Sequence, residues 1–218
     1  MLNECATRLE KGTCDLIIIL SVNSLVKKRT VNALKRALKN GRVVVMQTDT
    51  IYGIVGQALS LKTVERIYKL RRRSPGKPMV VLISSLDDLN LFGVKLAIKE
   101  EKILNNIWPG KVSVVLNCSV DIDYLHRGTN TIAFRLPRPR WLRNLLVQTG
   151  PLVAPSANLE GHEPARLISE AKKYFGKRAL YLDGGKVISK PSTLVSLKKG
   201  KLKVLREGAS KLSFKSTK

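Results

Sequence analysis

The sequence alternates short apolar runs with segments of helical periodicity, and this alternation limits the fold more than any other feature. Runs rich in Val, Ile or Leu are typical of β-strands and occur at residues 16–20, 42–47, 79–83, 112–116, 131–135, 152–154, 179–183, 193–197 and 202–205. Helical patterns lie between them, at residues 30–39, 62–72, 95–106, 138–148 and 166–175. This interleaving predicts a single α/β domain with a twisted mixed sheet flanked by helices.

The charge of the chain is strongly positive. Its 218 residues include 40 Lys and Arg against 16 Asp and Glu, a formal net charge of +24. Such an excess favours anionic partners, namely nucleic acid, nucleotides or phosphorylated metabolites. A solvated, lysine-rich surface explains the same charge equally well, because net charge also governs solubility. The charge alone therefore leaves RNA contact open.

Cysteine usage and hydropathy indicate a cytoplasmic protein without a membrane segment. The three cysteines, Cys5, Cys14 and Cys118, are odd in number and lack metal-ligand spacing, which is typical of reduced thiols. The apolar run at 16–20 is far shorter than the ~20 residues of a membrane helix. Acidic residues precede that run, which argues against a signal peptide.

The segment R-V-V-V-M-Q-T-D-T-I-Y-G-I-V-G, residues 42–56, places two hydroxyls and a carboxylate directly after a buried strand. Gly53 and Gly56 follow, but they complete neither a phosphate-binding loop nor a dinucleotide fingerprint. We interpret them as room for close backbone approach. Thr48 and Asp49 then stand at the end of the strand.

Three further segments combine cations, hydroxyls and amides near strand ends. In K-L-R-R-R-S-P-G-K-P (69–78), Arg71 and Arg73 suit a polyphosphate, although cations also stabilise a helix C-terminus. In V-A-P-S-A-N-L-E-G (153–161), Ser156 and Asn158 suit a ligand, although both residues also favour turns. Arg135 ends an apolar strand and needs a counter-charge, from either a protein carboxylate or a substrate anion.

The order of these segments resembles the YrdC-like family, the threonylcarbamoyl-AMP synthases. The family pattern is P-T-[DE]-T-x-Y-G-L, K-x-R-P-x-x-x-P-L, W-P-G-x-[LV]-T, T-[VI]-A-x-R-x-P, A-P-S-A-N, D-G-G, S-T and L-R-x-G. This chain has Q-T-D-T-I-Y-G-I, R-R-R-S-P-G-K-P-M, W-P-G-K-V-S, T-I-A-F-R-L-P, A-P-S-A-N, D-G-G, S-T and L-R-E-G, over about residues 30–208. Eight collinear motifs make chance similarity improbable.

The resemblance implies a sheet with a deep, basic cavity that takes ATP with Mg²⁺, L-threonine and bicarbonate. The products would be threonylcarbamoyl-adenylate and pyrophosphate, and a separate transferase complex would use the adenylate to form N6-threonylcarbamoyladenosine at position 37 of tRNA. It also implies a short form, with a catalytic domain at 30–208. The sequence itself adds a preceding extension at 1–29, whose apolar run at 16–20 would form an edge strand, and a basic tail at 209–218.

The resemblance also implies the site residues. Threonine binding falls to Thr48, Arg135, Ser192 and the backbone of Ala154. ATP binding falls to Arg71, Arg73, Thr131, Ser156, Asn158 and Arg206. Asp49 would shape the site or assist Mg²⁺, which accompanies ATP without a protein metal site. The sequence offers no catalytic nucleophile or general-base histidine, and the catalytic residues stay unassigned.

Three departures from the pattern bear on this interpretation. Gln47 replaces Pro, Arg71 replaces Lys with a different geometry at the same charge, and Ser113 replaces Thr. Two other hypotheses therefore remain. One is a double-stranded RNA- or tRNA-binding protein of the same fold that acts in RNA maturation, and the other is a paralogue with lost or changed activity.

Overall fold

The computed structural model describes residues 17–19, 24–119 and 121–212, which form a twisted mixed sheet flanked by helices, so the predicted α/β class is confirmed. The strands are β1 (Ile17–Ile19), β2 (Val44–Gln47), β3 (Tyr52–Gln57), β4 (Val80–Leu82), β5 (Val112–Asn117), β6 (Thr131–Arg135), β7 (Leu152–Val153), β8 (Leu180–Asp183), β9 (Thr193–Lys198) and β10 (Lys201–Arg206). The α-helices are α1 (Ser24–Lys39), α2 (Leu61–Arg71), α3 (Ile98–Ile107), α4 (Asp123–His126), α5 (Arg140–Thr149) and α6 (Ile168–Phe175), and short 3₁₀ helices occur at Leu86–Phe92 and Gly176–Arg178.

The strands lie in the order β1-β8-β2-β3-β7-β4-β6-β5-β9-β10 within the described part of the chain. Strand pairs β1–β8, β8–β2, β4–β6 and β5–β9 are parallel, and the other pairs are antiparallel. β1 is an edge strand beside β8. Cys5, Cys14 and residues 213–218 of the expected tail lie outside the described residues.

The central strands of the sheet are buried on both faces, which explains their continuous apolar runs. Val43 and Val45 contribute to the core on one face, together with residues of α2 and α6. Val44 and Met46 contribute to the core on the other face, where α1 and α5 pack. None of the helices in the described ranges is long and apolar enough to cross a membrane.

The sequence patterns predicted no strand at residues 52–57, and this prediction was wrong, because the segment forms strand β3. Its two glycines lower the strand propensity, and five of its six residues are buried, so no polar alternation marks it. β3 pairs with β2 in antiparallel register, with Gln47 opposite Tyr52. Thr-Asp-Thr is consequently part of a hairpin loop.

Gly56→Ala is expected to lower the free energy of unfolding by about 1–3 kcal/mol, the usual cost of overpacking a core. A Cβ at Gly56 would clash with Thr63 Cγ2 and approach Ile67 Cδ1 to 3.2 Å, so β3 could not keep its distance from α2. Urea unfolding measures the change. Gly76→Ala is the matched control, because a Cβ there meets nothing within 4 Å. Equal unfolding free energies for the two variants would contradict the expectation.

Candidate active site

A cavity of about 220 Å³ opens where the β2–β3 loop, the end of α2, β6 and the residues after β7 meet. All four residues expected to bind threonine line it, namely Thr48, Ala154, Arg135 and Ser192. Four of the six residues expected to bind ATP also line it, namely Arg71, Arg73, Ser156 and Arg206. The structure thus gathers distant sequence motifs around one space that four arginines border.

Two of the expected ATP-binding residues do not line this cavity. Asn158 is buried beside it and holds Arg71, as its side-chain and backbone oxygens both accept hydrogen bonds from that guanidinium. Thr131 stands at the start of β6, on the same face as Ala133, and its hydroxyl lies 3.1 Å from Thr129 Oγ1. Its contact with ATP stays a prediction.

The β2–β3 loop presents Thr48 to the cavity in a hydrogen-bonded turn. Thr48 Oγ1 donates a hydrogen bond of 2.7 Å to the Ile51 carbonyl, and the Thr48 amide donates to the same oxygen at 3.1 Å. A Cβ at Gly53 would lie 3.2 Å from Thr48 Cγ2 and 3.4 Å from the Pro155 carbonyl. The close approach that we predicted at Gly53 is therefore observed, with the Thr48 side chain and the Pro155 backbone as the neighbours.

Arg71, the last residue of α2, is held by the S-A-N segment. Its Nε donates to the Asn158 carbonyl at 3.1 Å, and its Nη2 donates to Ser156 Oγ and Asn158 Oδ1, each at 3.2 Å. Lysine could not make this forked set, since an ammonium lacks the planar geometry. Burial, and next the charge of Arg73, lower the pKa of Arg71 to about 10, so it remains protonated near pH 7.

Arg135 has a protein counter-charge, so one of the two sources that the sequence left open is present in the fold. Its Nη2 lies 3.0 Å from Asp49 Oδ1, and the two side chains are 4% and 2% exposed. Burial lowers the pKa of Arg135, and the Asp49 carboxylate opposes that shift. The contact favours the role of Asp49 in shaping the site.

Two arginines that line the cavity each have one buried guanidinium nitrogen without an acceptor in the described part of the chain. Arg71 Nη1 and Arg135 Nε have no hydrogen-bond partner among the described residues. A buried donor without an acceptor costs free energy, which an anionic ligand would remove. The cavity is therefore suited to bind carboxylate or phosphate oxygens.

Ser192 is held from two sides. Its hydroxyl lies 2.8 Å from the hydroxyl of Ser113, and both residues are buried. Arg206 Nη2 donates to the Ser192 carbonyl at 2.9 Å. Ser113 keeps the hydroxyl of the threonine in the family pattern, and in this chain that hydroxyl makes the contact with Ser192.

Sequence reasoning missed Tyr52, which ties the D-G-G turn to the hairpin. Its hydroxyl donates to the Gly185 carbonyl at 2.7 Å and accepts from the Gly184 amide at 3.0 Å. The sequence feature that could have identified Tyr52 is a tyrosine inside a buried apolar run, because a buried tyrosine hydroxyl needs a polar partner. Gln47 packs against Gly184, and a Cβ at Gly184 would clash with the side-chain oxygen of Gln47. Gln47 does not line the cavity described above.

Comparison with known proteins places the chain among relatives. The Sua5/YciO/YrdC family model, described as "Telomere recombination", matches residues 36–208. The chain belongs to the Sua5/YciO/YrdC family. A putative threonylcarbamoyl-AMP synthase of Methanocaldococcus jannaschii is 30% identical to this chain over 195 residues, which are 88% of this chain and 92% of that protein.

Solved structures of the Sua5/YciO/YrdC family share the fold. Pyrococcus abyssi Sua5, in a crystal structure complexed with L-threonine, matches with a TM-score of 0.78 and 25% identity. The match covers 90% of this chain but 58% of that one, so this chain spans little more than half of the P. abyssi protein. Escherichia coli YciO matches in fold, with a TM-score of 0.75 and 24% identity over 84% of this chain and 91% of YciO.

Proposed function

We propose that this chain is an L-threonylcarbamoyladenylate synthase, a nucleotidyltransferase that condenses L-threonine, bicarbonate and ATP to threonylcarbamoyl-AMP and pyrophosphate. The observation that carries the proposal is a single cavity bordered by four arginines and by the hydroxyl residues Thr48, Ser156 and Ser192. ATP is anionic and threonine carries a carboxylate, and the cavity combines positive charge with hydrogen-bonding groups for both. The threonine-bound Sua5 of the same fold supports the choice of amino acid.

The nucleotide half of the site is the region of Arg71 and Arg73. In this proposal their guanidiniums hold the ATP phosphates, since planar forks match phosphate oxygens in pairs. Ser156 and Asn158 keep Arg71 in place, and Ser156 also contacts the nucleotide. Thr131 and Arg206 extend the nucleotide contacts away from the phosphates.

The amino-acid half is the region of the hairpin loop and Ser192. Thr48, Ser192 and the backbone of Ala154 hold threonine, and Arg135 pairs with its carboxylate. Asp49 already balances part of the charge of Arg135. The unpaired Arg135 Nε leaves one donor for the substrate.

The reaction needs orientation and charge more than a reactive side chain. The threonine amine attacks the bicarbonate carbon, an N–C bond forms and water leaves. An oxygen of the resulting carbamate attacks the α-phosphorus, the bond to the β-phosphate bridge breaks, and pyrophosphate leaves. Arginines stabilise the charge that moves to pyrophosphate. Trapping a covalent acyl- or adenylyl-enzyme during turnover would refute this sequence.

Mg²⁺ belongs to the nucleotide in this proposal. Among the described residues no group of three or more His, Cys, Asp or Glu is arranged to hold a metal, and the residues that line the cavity include no carboxylate. Mg²⁺ commonly binds through substrate phosphates and retained waters. The residues of the cavity do not fit a protein-held ion, and we assign no step to one.

The proposal extends to the partners and location of the chain. A transferase complex receives the product for tRNA modification at position 37, and both act in the cytoplasm. The catalytic domain spans 30–208, between the extension 1–29 and the tail 209–218. The +24 charge favours one second candidate, a tRNA- or double-stranded RNA-binding protein of this fold that acts in RNA maturation without the activity.

Incubation of the pure chain with ATP, Mg²⁺, bicarbonate and labelled threonine tests the proposal. We expect labelled threonylcarbamoyl-AMP and an equal amount of pyrophosphate, and no pyrophosphate when threonine is omitted. Absence of threonine-dependent pyrophosphate would reject the synthase. Salt-sensitive RNA binding without turnover would instead support the second candidate.

A further inference from the structure

Glu160, two residues after the S-A-N triplet, connects that segment to the loop that carries Arg73. Its Oε2 accepts hydrogen bonds from the Ser74 amide and, at 2.9 Å, from the Ser74 hydroxyl. Its Oε1 lies 2.6 Å from Lys77 Nζ. The Glu160 amide donates to the Arg71 carbonyl at 2.9 Å, so one residue bridges the end of α2 and the following loop.

The loop at 72–78 determines where the Arg73 guanidinium lies. Arg73 Nε donates to the Lys77 carbonyl at 2.9 Å, and Nη2 donates to the Pro78 carbonyl at 2.9 Å. The Tyr68 hydroxyl donates to the same Lys77 carbonyl at 2.9 Å. The guanidinium is therefore aligned by the backbone of a loop that Glu160 holds from outside.

The charge of Glu160 persists across the range in which enzymes work. The hydrogen bond from Lys77, followed by those from Ser74, lowers the pKa of Glu160 to about 2. The carboxylate also forms an ion pair with Lys77, whose ammonium group would otherwise be available to bind a phosphate. Arg71 and Arg73 are then the cations of the 69–78 segment that line the cavity.

We propose that Glu160 is a positioning residue for ATP, because its carboxylate latches the 72–78 loop in the shape that sets Arg73 beside the cavity. The inference rests on the proposed function, since ATP is the ligand that Arg73 would hold. The side chains of Lys77 and Glu160 are 61% and 23% exposed, and exposed ion pairs contribute little to global stability. The contact therefore acts on the geometry of the loop rather than on the stability of the fold.

Glu160→Gln tests the latch, with Glu163→Gln as the matched control. Both changes remove one negative charge, and the Glu163 side chain makes no ion pair or hydrogen bond with the described residues. We expect Glu160→Gln to raise the KM for ATP about tenfold, because misplacement of a binding group is costly. The KM for threonine should change less than twofold, and Glu163→Gln should match the wild type. Equal KM values for the two variants would overturn the proposal.

A double-mutant cycle separates the latch from a general loss of structure. In an Arg73→Ala background, Glu160→Gln is expected to add less than a twofold change in ATP affinity, since its effect passes through Arg73. An additive tenfold loss in that background would show that Glu160 acts by another route, and would overturn the proposal.

Hydrogen exchange distinguishes failure of the latch from failure of the proposed function. If the wild type makes no threonylcarbamoyl-AMP, the function fails, but the amide of Ser74 still reports on the latch. Glu160→Gln is expected to speed exchange at that amide more than tenfold, whereas Glu163→Gln leaves it unchanged. Unchanged exchange at Ser74 in Glu160→Gln would overturn the latch whatever the activity.

Discussion

Asp49→Asn is expected to lower the free energy of unfolding by about 3–5 kcal/mol, the cost of breaking a buried ion pair from one side. Asp49 and Arg135 are 2% and 4% exposed, with Nη2 and Oδ1 3.0 Å apart. The substitution keeps the shape of the side chain and removes its charge. The Arg135 guanidinium then remains buried without a counter-charge. Urea unfolding of both proteins at pH 7 measures the difference.

Two further variants make this expectation specific. Asp87→Asn is the matched control, because Asp87 is exposed in the 3₁₀ helix and the change in charge is the same. Replacing both partners, as Asp49→Asn with Arg135→Met, should recover much of the stability, since no buried charge is left. Equal losses for Asp49→Asn and Asp87→Asn would show that the ion pair does not stabilise the fold.

Local sequence patterns predicted those parts of the fold in which burial and propensity agree. The run at 42–47 is rich in Val and became β2, whose residues face two cores in alternation. β3 escaped prediction because glycines occupy positions where α2 and the Thr48 loop approach the backbone closely. The strand order also escaped it, because pairings such as β1 with β8 join residues far apart in the sequence. Local sequence periodicity does not determine which distant strands pair with each other.

Residue types in the candidate site were predictable, whereas their partners were not. The A-P-S-A-N and R-R-R-S-P-G-K-P motifs named side chains that lie at the cavity or beside it, but only the fold shows that Ser156 and Asn158 hold Arg71. Likewise, the sequence showed that Arg135 needs a counter-charge, but not that Asp49 supplies it. Glu160 was not predicted as a site residue, although a carboxylate is uncommon in so basic a chain. Its contacts depend on two loops that meet only in the folded protein.

Arg73→Ala is expected to weaken ATP binding by about 100-fold or more while leaving the fold intact. Each hydrogen bond from a charged donor contributes about 1.5–3 kcal/mol, and a guanidinium supplies two to a phosphate. Arg73 lines the cavity from a half-buried loop position and belongs to neither core. Its removal therefore leaves no cavity in the packed interior. Calorimetric titration with ATP and Mg²⁺ measures the affinity, and circular dichroism checks the fold.

Arg66→Ala is the matched control for Arg73→Ala. Arg66 lies on the exposed side of α2 and donates one hydrogen bond, to the Arg178 carbonyl, so the same charge is removed away from the cavity. If net charge alone attracted ATP, the two variants would lose affinity equally, and the loss would shrink with added salt. If Arg73 binds the phosphates directly, Arg66→Ala keeps the wild-type affinity.

Ser156→Ala should weaken ATP binding as Arg73→Ala does, because it removes a nucleotide contact and the support of Arg71 together. Wild-type affinity in both Arg73→Ala and Ser156→Ala would show that the nucleotide binds elsewhere.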